Sequence, residues 1–174
     1  AEGRVGGESF GADASLIKAD ASRYIKVDYT EWSAADAASR ATQEYLGTLD
    51  DAAFGAATPV KPKAISPADP AARFTGANGD RPFFAYSTNY LVDPESAIIV
   101  DVEATASIRQ TEVGAVRKML ARTRDRFDLH PGILAADTAY GSADMLGWLV
   151  EEQDIEPHIP VFDKTERKDG AFPA

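Results

Sequence analysis

Oxygen atoms are the ligands this sequence can best offer a metal. It contains no cysteine, and its two histidines, His130 and His158, stand far apart, so thiolate and histidine cages are excluded together. Two aspartates stand where an oxygen-ligand site is commonly built. Asp13 falls in the middle of an alternating segment at 10–19, and Asp137 directly follows the short apolar run 133–136. A pair of carboxylates without Cys or His suits a hard cation such as Mg²⁺ or Mn²⁺, which keeps several of its waters. Phosphodiester chemistry uses such sites, because the metal activates the attacking oxygen and stabilises the departing one. By position alone the plainer assignments are an exposed strand residue for Asp13 and a turn or helix-capping residue for Asp137.

The elements that would bring these two residues together can be read from periodicity. Residues 10–19 alternate and are flanked by Gly6-Gly7 and Asp20-Ala21-Ser22, which predicts a strand. Residues 33–54 are rich in Ala, Glu and Gln, with Ser33 as N-cap and Asp36 in the first turn, which predicts a helix. Between 58 and 82 stand Pro59, Pro62, Pro67, Pro70 and Pro82 with Gly76 and Gly79, which predicts a long irregular loop. Residues 83–92 and 97–104 read as a hairpin joined by Asp93-Pro94-Glu95-Ser96. Ser107 and Gln110 have capping-box spacing ahead of a helix at about 108–126, with Val113, Val116, Leu120 and Phe127 on one face. His130-Pro131-Gly132 stops that helix and 133–136 forms a short buried strand. Ser142 caps a further helix with Met145, Leu146, Leu149 and Val150 inward, and 157–162 is the last strand.

This order predicts an α/β fold: a ribonuclease H-like mixed sheet flanked by helices, with a helix-plus-loop insertion at about 20–82. One domain spanning 1–174 is expected, since the chain has 174 residues with 44% apolar and 26% charged content. In that arrangement the first and fourth strands are parallel neighbours about 4.8 Å apart, which would let Asp13 and Asp137 face one spot. The hairpin is expected to pair with the Asp13 strand.

The net charge of −10 speaks against a polyanionic partner when taken as a sum. Distribution qualifies it, since Arg117, Lys118, Arg122, Arg124 and Arg126 cluster, as do Lys164, Arg167 and Lys168. Such clusters are either solvated helix faces or phosphate contacts. No signal peptide or membrane-spanning run is present in the sequence, so a cytoplasmic protein is expected.

Four ordered motifs resemble those of insertion-sequence DDE-type transposases. The segment from Asp13 through Ser15, Leu16, Ile17 and Ala19-Asp20-Ala21-Ser22 to Arg23 is similar to that family's first-aspartate strand. Ala136-Asp137-Thr138-Ala139-Tyr140-Gly141-Ser142 is similar to its second-aspartate motif, with Ala139 where Gly or a basic residue is usual. Ser66-Pro67-Ala68-Asp69-Pro70-Ala71 and the stretch from Tyr86 to Asp93 resemble the segments between them. The resemblance implies a catalytic core for DNA strand cleavage and transfer, with Asp13 and Asp137 as catalytic metal ligands for Mg²⁺ or Mn²⁺. It implies as partners DNA, at transposon ends and targets, and a further copy of the chain; Arg117, Arg122 and Arg126 are candidate phosphate contacts. The family's third carboxylate, a Glu on a helix after the last strand, has no counterpart before Ala174, and Glu166 falls in a polar turn. The expectation is therefore of a fragment cut before that Glu and inactive by itself. An inactive remnant that binds DNA or protein, or a related metal-dependent nuclease, are the alternatives. Asp69 reads as a turn former, and Tyr140, Gly141 and Ser142 as residues beside the site.

Overall fold

The computed structural model describes residues 5–33, 40, 62–76 and 81–161. Strand β1 (Ser9–Lys18) lies at the centre of a mixed sheet. Its antiparallel neighbour is β5 (Phe83–Asp93), paired from Gly11 opposite Val92 to Lys18 opposite Ala85. On its other side runs β7 (Ile133–Ala136), parallel, with Ala12 opposite Ala136, and beyond it β8 (Glu156–His158), also parallel. Strand β6 (Ile98–Ala106) completes the hairpin on β5. The hairpin thus pairs with the Asp13 strand as the alternation predicts, and the mixed α/β sheet is consistent with a ribonuclease H-like order.

The proline-rich stretch departs from expectation. Strand β3 (Ala64–Ile65) pairs with β2 (Val27–Asp28) in a small separate sheet, and β4 (Arg73–Thr75) joins β5 in the main one. The prolines confine pairing to the short runs between them, as a missing N–H dictates. Within β4, Phe74 packs against Phe84 at 5.0 Å between ring centroids, and that contact anchors the strand. The helix expected at 33–54 lies outside the described residues, apart from Ser33 and Arg40.

One sheet face is covered by α1 (Arg109–Phe127) and α2 (Ala143–Gly147), the latter continuing through wider π-type turns at Trp148–Glu152. Phe10, Ala12, Leu91 and Leu134 from the sheet meet Val116, Met119 and Leu120 of α1 and Met145 and Leu149 beyond it. Phe127 and Val150, expected inward, are exposed, and Met119 takes an inner place. Helix α1 also starts without the predicted capping box. Ile108, extended, occupies the cap position with no side-chain cap, and the Thr111 hydroxyl donates to Ile108 O at 2.6 Å instead. The helix ends at Asp128, which takes a left-handed conformation with φ of 55° and returns its N–H to Arg124 O. Ser142 caps α2 as predicted, accepting from Met145 N at 3.2 Å.

Candidate metal centre

Strand β7 stops at Ala136, and the residue after it caps a single 3-10 turn, Thr138–Tyr140. That residue is Asp137, whose Oδ1 accepts the Ala139 N–H at 2.7 Å. The Ala12–Ala136 pairing carries the chain on both strands one step further, to Asp13 on β1 and Asp137 beyond β7. Asp13 Oδ1 accepts the Ala14 N–H at 2.8 Å. In each residue one carboxylate oxygen is held by a local N–H, and the other accepts no hydrogen bond among the described residues. Both side chains are exposed.

The two aspartates share a shallow concavity of about 500 Å³ with Gly11, Ala12, Val92, Ala135 and Ala136. Gly11, Asp13, Val92 and Ala135 alternate with the core residues Phe10, Ala12, Leu91 and Leu134, so the concavity opens on the sheet face away from α1. Its small side chains leave room above the strands. Among the described residues no cluster of three or more His, Asp or Glu is close enough to hold a metal. Two free carboxylate oxygens on an open surface still fit a hard cation that keeps most of its waters. Residues 162–174, Glu166 among them, lie outside the described residues.

Other sequence candidates have different places. Tyr140 is 2% exposed and packs in the core, not in the concavity. Its hydroxyl has no hydrogen-bond partner among the described residues. Burial, followed by the charges of Glu112, Asp137 and Asp13, pushes its pKa well above the ordinary tyrosine value. Gly141 packs so that a Cβ there would meet Pro160 O at 2.7 Å, which gives the glycine of the Tyr140-Gly141-Ser142 motif a steric reason. Asp69 closes a turn on Ser66 and accepts the Tyr86 hydroxyl at 2.6 Å, as a turn former should. On α1, Arg122 is held by Asp101 at 2.7 Å and Glu103 at 2.8 Å, and Arg117 by Asp144 at 2.7 Å with its guanidinium over Trp148. Lys118 also pairs with Glu103. Arg126 is exposed and makes no ion pair among the described residues.

Adjacent parallel strands of a mixed sheet thus bring two carboxylates to one concavity, and carboxylate oxygens are the ligands that metal-assisted phosphoryl transfer uses. The sequence model of the transposase DDE domain matches residues 25–171, and the chain belongs to that family, whose domain serves DNA transposition. Asp137 falls inside the matched span and Asp13 before it. No curated protein and no solved structure matches the chain. No helix among the described residues is long and apolar enough to cross a membrane.

Proposed function

We propose that Asp13 and Asp137 together hold a divalent cation, Mg²⁺ or Mn²⁺, for metal-dependent cleavage and transfer of DNA strands at transposon ends. The observation that carries this reading is the parallel β1–β7 register, which brings both aspartates to one concavity with an uncommitted oxygen each. When bound, the metal would activate a water or a 3′-hydroxyl and stabilise the departing oxygen. The chain's own part is orientation. The Ala139 and Ala14 N–H groups fix one oxygen of each carboxylate, and Gly11 and Ala135 keep the face open to a phosphodiester. Of the three α1 arginines named above, Arg126 is the one available for DNA phosphates. The sheet is read as ribonuclease H-like, with the segment at about 20–82 inserted after its first strand, and the whole as one domain acting on DNA with a further copy of itself, in the cytoplasm.

The test is titration calorimetry with Mn²⁺ on the wild-type chain, Asp13→Ala and Asp137→Ala. Weak binding by the wild type and weaker binding by both variants is expected, with the fold unchanged by circular dichroism. Equal heats from all three proteins would place the metal elsewhere and leave the alternative of a DNA-binding domain without chemistry.

A further inference from the structure

We propose that the end of the sheet where β1 leaves off and β5 begins is a docking groove for the phosphate backbone of DNA, formed by Lys18, Arg23, Lys26 and Arg81. The proposal rests on the preceding section in taking DNA as the partner, and it adds the surface that receives it. Two adjoining cavities of about 300 Å³ and 360 Å³ share Arg23, Tyr24 and Arg81; Lys18 borders the first and Lys26 the second. Among the described residues no carboxylate lines either cavity. None of the four cations makes an ion pair among the described residues, in contrast to Arg117, Lys118 and Arg122 on α1. In a chain of net charge −10, a concentration of unpaired positive charge in a concave surface is a feature that a polyanion would select.

The groove is also built, not merely charged. The Arg23 guanidinium lies 4.6 Å from the Tyr24 ring centroid and donates to the Tyr24 hydroxyl, so its planar fork is held before any ligand arrives. The same hydrogen bond, then the Arg23 charge and a contact from Arg81, lowers the Tyr24 pKa. Lys26 Nζ sits 4.3 Å above the Phe74 ring, and Phe74 is fixed on Phe84. Strand β4, unexpected in the proline-rich stretch, thus supplies the floor on which Lys26 rests. Lys18 and Asp13 are on one strand, five residues apart, or about 17 Å. Because that interval is odd and the β1 register is unbroken, the Lys18 and Asp13 side chains leave the strand on opposite faces, so the groove is a surface distinct from the aspartate concavity.

The experiment measures binding of a short labelled DNA duplex by fluorescence anisotropy, in EDTA and across about 50 to 200 mM salt. The proteins are the wild-type chain, Lys18→Gln, Arg81→Gln, the double variant, and Arg124→Gln as a charge-matched control from exposed α1. Lys18 and Arg81 are exposed, so their loss leaves packing intact, which a melting curve checks. Each phosphate contact contributes about 0.9 to the slope of log affinity against log salt. The slope should fall by about 0.9 in each single variant and about 1.8 in the double variant. The wild-type advantage over the double variant then shrinks about tenfold across that salt range. Arg124→Gln should keep the wild-type slope. The proposal is overturned by unchanged slopes in the groove variants, by an equal loss in Arg124→Gln, or by a wild type that fails to bind at low salt. Because EDTA removes metal, failure here is separable from failure of the Mn²⁺ titration, which tests Asp13 and Asp137 alone.

Discussion

Replacing Tyr140 by Phe isolates a single buried hydroxyl. The side chain is 2% exposed, its ring belongs to the cluster around Leu134, Met145 and Leu149, and its oxygen is buried without a partner among the described residues. Phenylalanine keeps the ring and its packing. What is removed is a polar group whose unpaired burial costs about 1–3 kcal/mol. Because the ring must still be accommodated where Tyr fitted, we expect a gain at the low end, about 1 kcal/mol, or roughly 2–4 °C in Tm for a chain of this size. The effect should depend on pH in a definite direction. Burial, with Glu112, Asp137 and Asp13, raises the folded-state pKa above its ordinary value near 10. The unfolded chain then releases the phenolic proton first, and wild-type stability falls as pH rises above about 10. The variant has no such proton, so its advantage should widen above that pH. Urea unfolding followed by circular dichroism at pH 7 and near pH 10.5 measures both. A loss of 1 kcal/mol or more at pH 7 would refute the reasoning, because it would mean that the hydroxyl is hydrogen-bonded in the folded chain.

Two further changes probe the frame around the aspartates. Gly141→Ala sets a methyl group 2.7 Å from Pro160 O and 3.4 Å from Thr138 O, both backbone atoms, and should cost about 1–3 kcal/mol by thermal unfolding. A variant as stable as wild type would show that the backbone after β8 yields freely. Asp93 accepts N–H groups from Gly6, Glu95 and Ser96; burial opposes its charge, yet these donors hold its pKa below the ordinary value. A depressed carboxylate stabilises above its unfolded pKa near 4 and loses that contribution as pH falls through the folded value. Asp93→Ala should therefore lower the urea midpoint at pH 6, with the gap closing on acidification below about pH 4. A gap independent of pH would show that the loss is one of packing.

How much of this was legible in the sequence depended on how local the cause was. The β1 alternation, the hairpin turn at Asp93 and the apolar run before Asp137 are set within a few residues, and the structure reproduces them. The Ser142 cap is equally local. Strand β4 was hidden because its partners arise later, Phe74 finding Phe84 across a proline-rich segment whose composition argued for a loop. The start of α1 was misread for a related reason: Ser107 and Gln110 have the spacing of a cap, but the Ile108 N–H turns back to Ala106 O and the helix begins after it.

Charge was the least legible property, and it bears most on function. In the sequence the cations of α1 form an obvious cluster, while Lys18, Arg23, Lys26 and Arg81 are scattered across the first half. Folding reverses their standing. Asp101 and Glu103 on β6 fall beside α1 and take up Arg122 and Lys118, whereas the scattered four converge where β1, β4 and β5 meet. A paired cation has already spent much of its attraction on its neighbour, so a phosphate reaching Arg122 must compete with two carboxylates under 3 Å away. Unpaired cations in a concave surface face no such competition. The density of basic residues along a chain is therefore a poor guide to where uncommitted positive charge lies in the fold, and the pairing of each cation is the better one.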